Sequence, residues 1–322
     1  MNINVDEEIA KRVKIINDAI EEFLPIREPQ GLYKACRHLI DAGGKRIRPV
    51  LCLVSAEALG KDWNKILPCA IAIETIHNFT LIHDDIMDED ELRRGVPTVH
   101  TLYGVPTAIL AGDTLFAEAF KILTRCEVDA ENIVKATRIL AEVCVNICEG
   151  QYLDISFERR DNVSEEEYIE MVKKKTATLI ACACSLPAVL FGEDKKIIDA
   201  LWNFGLLCGI GFQIYDDILD LTGGKKIGKD WGSDLVEGKK TLIIIKAKSM
   251  GVEIEILGKG KASKEEIAKA VKKLEECGAI DYASKRAKEF VEKGKDYLKV
   301  LPNSEAKELL IAIADYLVSR EY

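Results

Sequence analysis

Residues 75–94 read TIHNFTLIHDDIMDEDELRR. The first half is apolar at spacings of three and four, which predicts a helix buried on most of its surface. The second half carries Asp84, Asp85 and Asp88 at i, i+1 and i+4, followed by Arg93 and Arg94. A spacing of four sets Asp84 and Asp88 one turn apart on one face. Three anions at the C-terminal end of a helix repel one another and oppose its dipole, so the pattern demands compensating cations. A lone run of this kind is usually a solvated helix end. Here it grows out of a segment too apolar for the surface, and buried carboxylates are rarely left unpaired. The same spacing returns as Asp216, Asp217 and Asp220 in GFQIYDDILD (211–220), after another uncharged run. Two such clusters on separate apolar helices predict several divalent ions held between them by carboxylate oxygens, the ligand type that suits Mg²⁺ and phosphate.

Outward from this stretch the three-to-four spacing continues almost everywhere and period-two alternation is nearly absent, so the chain is expected to be all-α. Helices are predicted over about 9–23, 32–42, 49–59, 66–87, 107–125, 130–155, 164–173, 176–191, 195–221, 240–250, 263–276, 281–298 and 304–318. Ser164 with Glu167 forms a capping box for the seventh. Residues 92–106 and 223–238, rich in glycine, are expected as connections. No linker or repeat interrupts the chain, so residues 1–322 are expected to form one domain. The uncharged runs 176–192 and 200–215 fall short of the ~20 residues needed to span a bilayer and are expected as core helices, with no membrane span. The charged, amphipathic N-terminus does not read as a signal peptide.

The balance of 45 basic against 54 acidic side chains, a net charge of −9, argues against general nucleic-acid binding. Local basic groups remain available for a small polyanion. GGKRIRP (43–49) is a glycine-hinged turn opening a helix, with Lys45 and Arg48 three apart, and helix N-termini with Lys or Arg favour phosphate. Lys175 precedes an uncharged run, and Lys229 and Lys239 lie in or beside the 223–238 loop. No Walker phosphate loop is present. Ten scattered cysteines, without a Cys-x-x-Cys pair, read as reduced core thiols and place the chain in the cytoplasm.

Taken in order, GGKRIRP (43–49), LIHDDIMDEDELRRG (81–95), GDTLFAEAF (112–120), GQYLD (150–154), KKTATLI (174–180), GFQIYDDILD (211–220) and GKDWGSDLVEGKKTL (228–242) resemble the trans-isoprenyl diphosphate synthases, or polyprenyl synthetases, over nearly the whole chain. The type is the short-chain archaeal synthase of geranylgeranyl or farnesyl diphosphate. The resemblance implies a single bundle of long helices around a central apolar cavity. It implies Mg²⁺, three ions with substrate bound, on Asp84, Asp88 and Asp216. Arg93, Lys175, Lys229 and Lys239 match residues that hold the allylic diphosphate. Lys45, Arg48, His77 and Arg94 match the isopentenyl diphosphate pocket. Thr176, Gln213 and the Lys175 carbonyl match groups facing the developing carbocation. The implied reaction is ionisation of an allylic diphosphate (dimethylallyl, geranyl or farnesyl), attack by the double bond of isopentenyl diphosphate, and loss of a proton. Family members are generally homodimers, and the apolar helix expected at 107–123 is a candidate interface.

Thr80 and Phe79, four and five residues before Asp84, match the positions whose bulk limits product length. Thr80 lies one turn, ~6 Å, deeper along the helix. One small and one aromatic residue there resemble enzymes that reach C20, so geranylgeranyl diphosphate is expected, with farnesyl diphosphate as a co-product or main product. Ile76 and Ile73 are candidates for a lower floor, which keeps a longer-chain synthase as an alternative. A non-catalytic regulatory subunit is the alternative of a different class, but both acidic motifs are complete. A terpene cyclase or hydrolase would lack the second diphosphate pocket.

Overall fold

The computed structural model describes residues 3–223 and 231–319. Those residues form fifteen α-helices and one two-stranded ladder, so the all-α expectation holds. The chain divides into two compact units, Met1–Ala141 with Cys182–Leu201 and Val300–Ala312, and Glu142–Ala181 with Trp202–Lys299 and Ile313–Tyr322.

The first unit opens with α1 (Val5–Phe23), α2 (Gln30–Asp41) and α3 (Ile47–Ala58). Its centre is α4 (Leu67–Met87), launched by a short 3₁₀ turn, Trp63–Ile66, that the Asp62 side chain caps. Every residue from Pro68 to Ile76 is buried, which explains why this helix shows so little amphipathic contrast. It packs along α6 (Val105–Leu123) and against α1 and α3. The connection expected over 92–106 is more ordered than its glycines imply. It holds an antiparallel ladder of β1 (Leu92–Arg93) and β2 (Val96–Pro97), in which Arg93 lies opposite Val96. A five-residue helix, α5 (Val99–Tyr103), follows. The glycine at 112 lets α6 meet α4 closely: a Cβ there would fall 2.1 Å from His83 Nε2.

The chain continues through α7 (Ala130–Glu158), α9 (Thr178–Leu190) and α10 (Lys195–Thr222). The second unit also contains α8 (Glu165–Val172), which begins with the expected Ser164–Glu167 capping box. The apolar spacing predicts a helix from residue 176, but the backbone first makes a wide π turn over Lys173–Ala177. Two close approaches explain the pressure on this segment. A Cβ on Gly150 would lie 2.3 Å from the Lys175 backbone nitrogen, and one on Gly209 would lie 2.7 Å from Ala177 Cα. Backbone therefore meets backbone at both crossings, which only glycine permits.

Between the described ends of the 223–238 loop lies α11 (Ser233–Glu237), a short helix that glycine and lysine content concealed. Helices α12 (Leu242–Ser249), α13 (Lys264–Glu276), α14 (Ala279–Tyr297) and α15 (Glu305–Leu317) complete the chain, and Ser263 with Glu266 forms a second capping box. The segments Trp63–Met87 and Lys195–Thr222 are long and apolar enough to cross a membrane, although 67% and 50% of their most apolar windows are buried inside the protein.

Gly150→Ala places a methyl group inside the backbone of the π turn. Overpacking of this kind costs about 1–3 kcal/mol, read as a lower urea midpoint with an unchanged m-value.

Candidate active site

In the first unit the turn between α2 and α3 is built by Gly43 and Gly44, at φ 96° and 145°. A Cβ on Gly44 would sit 3.1 Å from the Arg94 guanidinium carbon. Arg46, in the left-handed region at φ 49°, turns inward. Its Nη1 pairs with Glu74 Oε1 at 2.8 Å, and both side chains are 3% exposed. Its Nη2 donates to Ile40 O at 2.6 Å and its Nε to Asn17 Oδ1 at 3.2 Å. Arg48 then faces α4, with Nη1 3.2 Å from His77 Nε2. Burial, reinforced by the positive charges of Arg48 and Arg94, holds the imidazole well below its usual range. A neutral His77 that accepts from Arg48 carries its own proton on Nδ1. Lys45 is exposed at the same turn.

Arg94 donates through Nη1 to Leu39 O at 2.6 Å and Gly43 O at 2.5 Å, which clamps the glycine turn to the ladder. Burial, with repulsion from Arg46, Arg93 and Arg48 against the pull of Glu74, lowers its pKa to about 10. The structure sets Arg48 against His77, with Arg94 near enough for its charge to act on the imidazole. The acidic end of α4 is divided. Asp85 is 1% exposed and takes the Arg93 guanidinium, which also reaches Asp90 at 3.1 Å. Asp84 and Asp88 are half-buried and one turn apart, with the Asp88 N–H on Asp84 O at 2.8 Å. Phe79 turns its ring towards α6, edge-on to Phe116 at 5.3 Å and to His83 at 4.9 Å. The Thr80 hydroxyl donates to His77 O at 2.8 Å.

In the second unit the π turn presents Lys175 and Thr176. Lys175 Nζ lies 2.5 Å from Asp154 Oδ2. Thr176 Oγ1 donates to Gln213 Oε1 at 2.9 Å, and Gln213 Nε2 donates to Asp217 Oδ1 at 2.9 Å. Tyr168 Oη donates to the other oxygen of Asp217 at 2.6 Å. Asp217 is 7% exposed. Burial and the negative charge of Asp234 push its carboxyl well above the usual range, against the pull of its two donors. Asp220 is pushed up to about 7, again by burial first and Asp234 second, although Ser233 Oγ donates to it at 3.1 Å. Lys239 pairs with Asp234 at 3.1 Å and Glu237 at 2.9 Å. Lys175, Thr176, Gln213, Asp217 and Lys239 all line one cavity of about 90 Å³. Asp216 is half-buried on α10. Lys229 lies outside the described residues.

Among the described residues no three His, Cys, Asp or Glu side chains converge into a closed cation cage. Asp84, Asp88 and Asp216 are half-buried. Such an open oxygen set fits Mg²⁺, which fills its octahedron with water and phosphate oxygens rather than an all-protein shell. Several residues of these sites are hidden in the sequence. Arg46 has the look of the solvated member of a basic turn, although Glu74, the one charge in a long apolar run, is a signal that a buried cation has to exist. Asp154, Tyr168 and Asp234 sit within or beside the motifs, but only the fold shows that they face Lys175, Asp217 and Lys239. Gln151 is buried, with neither amide atom bonded to any described residue.

An all-α fold, with an aspartate run at the end of one apolar helix in each unit and a cluster of cations in the first, is the class of protein the structure defines. Comparison with known proteins narrows it. Residues 29–274 match the family model for polyprenyl synthetase. A geranylgeranyl pyrophosphate synthase of Geoglobus acetivorans is 59% identical over 318 residues, 99% of this chain and 100% of that protein. A geranylfarnesyl diphosphate synthase of Natronomonas pharaonis is 48% identical over 336 residues, 99% of this chain and 98% of its own. A solved structure of a geranylgeranyl pyrophosphate synthetase, also from Geoglobus acetivorans, superposes with a TM-score of 0.93 at 58% identity, covering 97% of this chain and 99% of that one. The chain belongs to the polyprenyl synthetase family and is a trans-prenyltransferase.

Replacing Glu74 by Gln leaves Arg46 buried without its counter-charge. Breaking one side of such a pair costs about 3–5 kcal/mol, which urea unfolding measures directly.

Proposed function

We infer that the chain, acting as one synthase over residues 1–322, extends allylic diphosphates with isopentenyl diphosphate and releases diphosphate, with geranylgeranyl diphosphate as its main product and farnesyl diphosphate beside it. The observation that carries the residue roles is the division of the two acidic motifs. Asp85 and Asp217 are buried against protein donors, whereas Asp84, Asp88 and Asp216 are half-buried and within reach of solvent. The latter three are assigned to Mg²⁺, three ions with substrate bound, which supplies charge neutralisation for the leaving diphosphate.

The chain's own residues do the rest. Lys175 and Lys239, with Arg93, Lys229 and the metal-binding aspartates, hold the allylic diphosphate. Lys45, Arg48, His77 and Arg94 hold the isopentenyl diphosphate, with neutral His77 fixed by Arg48 so that it adds a hydrogen-bonding group without another charge. Thr176 and Gln213 offer oxygen lone pairs to the developing cation. No protein nucleophile is required.

Product length is assigned to the α4 face below Asp84. At 100° per residue Thr80 lies ~40° from the Asp84 direction and Phe79 ~140° away. The contact of Phe79 with Phe116 on α6 agrees with that rotation. Thr80 is therefore the stronger of the two length marks, and Phe79 acts through its packing. Ile73, fully buried, lies ~20° from the Asp84 direction and is the next floor.

The exposed apolar side chains on α6, Val105, Ile109, Leu110 and Phe116, support a homodimer built on that helix. The ten free cysteines, eight of them buried, support a cytoplasmic location. The burial of 67% of the apolar window of Trp63–Met87 inside the protein supports a chain without a membrane span.

Labelled isopentenyl diphosphate incubated with each allylic primer and Mg²⁺ yields C20 and C15 products, separated by length; a product beyond C25 overturns the length assignment. Asp84→Ala abolishes turnover while the far-ultraviolet circular dichroism stays unchanged. Thr80→Phe moves the main product from C20 to C15, on the same separation.

A further inference from the structure

The side chains behind the assigned carbocation-facing pair form a directed series. Asp217 receives Tyr168 Oη at 2.6 Å on one oxygen and Gln213 Nε2 at 2.9 Å on the other. Asp217 accepts from both, with the Tyr168 phenol on one oxygen, so the Gln213 amide turns its NH₂ group towards the other. Its carbonyl oxygen then points the opposite way, and Thr176 Oγ1 donates to it at 2.9 Å. A hydroxyl has a single proton. Once that proton is given to Gln213, the outer side of Thr176 Oγ1 carries lone pairs alone. The first member of the series is the most deeply set: Tyr168 is 1% exposed and its ring belongs to α8.

We propose that Tyr168 is a positioning residue for prenyl transfer, which pins Asp217 and through it orients Gln213 and Thr176 so that lone pairs, not protons, face the positive charge forming on the allylic carbon. The proposal rests on the reading that Thr176 and Gln213 face that carbon. An amide is nearly symmetric in shape but reversed in polarity when flipped. A flipped Gln213 would bring N–H bonds where oxygen stood and free the Thr176 proton to point outward. Both changes oppose a cation in a site where dipoles fixed in advance do the stabilising. The phenol is what singles out one orientation. With one oxygen of Asp217 held by Tyr168, the other stays aimed at Gln213.

Tyr168→Phe removes one oxygen and keeps the ring. Groups that orient reacting side chains are worth about 10–100-fold, so kcat falls by that factor, while KM for both diphosphates and the midpoint of the Mg²⁺ titration hold within twofold. Gln213→Leu alone lowers kcat by at least as much, and Tyr168→Phe adds no further loss in the Gln213→Leu background, because the two act in series. Losses that multiply in the double variant, a raised KM at constant kcat, or an unchanged kcat in Tyr168→Phe each overturn the proposal. If Gln213→Leu leaves kcat unchanged, the underlying reading of Gln213 fails and the proposal with it. If Gln213→Leu is slow but Tyr168→Phe is not, the proposal alone fails. Should Tyr168→Phe not fold, Asp217→Asn reads the same link, since the asparagine permits the amide to invert. It lowers kcat with an unmoved Mg²⁺ midpoint, and a shifted midpoint overturns the assignment of Asp217 to positioning.

Discussion

The ion pair between Arg46 and Glu74 holds the first unit's chemistry in place. Both partners are almost wholly buried, and such a pair is favourable only when every remaining hydrogen-bonding position is met. Arg46 meets that condition with three elements: Asn17 on α1, the carbonyl of Ile40 at the end of α2, and Glu74 on α4. Arg46 makes these contacts from the left-handed region, two residues after Gly44. Arg48, two residues on, is thereby delivered to His77. The placement of Arg48 against His77 follows from a buried structural contact.

The two units solve the same electrostatic problem with different chemistry. Each ends a long apolar helix with a run of aspartates whose middle member is buried. In the first, Asp85 is met by a full positive charge, Arg93. In the second, Asp217 is met by a phenol and an amide, both neutral. All three donors are directional, but only the amide carries an acceptor opposite its donor, so holding its N–H end also fixes where its oxygen points. The second arrangement accordingly orders the polarity of Gln213 and Thr176.

The helical pattern made most of the fold legible, because a 3.6-residue spacing survives wherever a helix has one wet face. The failures have two causes, tertiary contact at one turn and brevity elsewhere. The turn at Lys173–Ala177 falls where the spacing ends one helix and begins the next, and Gly150 and Gly209 press on its backbone. The ladder at residues 92–97 and the short α11 are too brief to leave a period. At the candidate site, Asp84, Asp88, Asp216 and His77 stood out as polar groups in or beside an apolar run, and Arg48 as part of a basic turn opening a helix. Tyr168 and Asp154 were not, since a tyrosine in a first helical turn and a lone acid late in a long helix carry no anomaly until the fold sets them against Asp217 and Lys175.

The wide turn over Lys173–Ala177 also has a geometric meaning. An extra residue in one turn of helix advances every later side chain by ~100° about the axis relative to an uninterrupted α-helix. The segment therefore acts as a phase adjuster, a fixed rotary offset written into the backbone. Upstream of it, Tyr168 and Met171 face inward by one register; downstream, residues 178–190 keep a wholly buried surface by another. Lys175 and Thr176 sit at the offset itself, where neither register governs them. A single-residue deletion there would leave composition and charge nearly untouched, yet rotate all of α9 out of alignment with its neighbours.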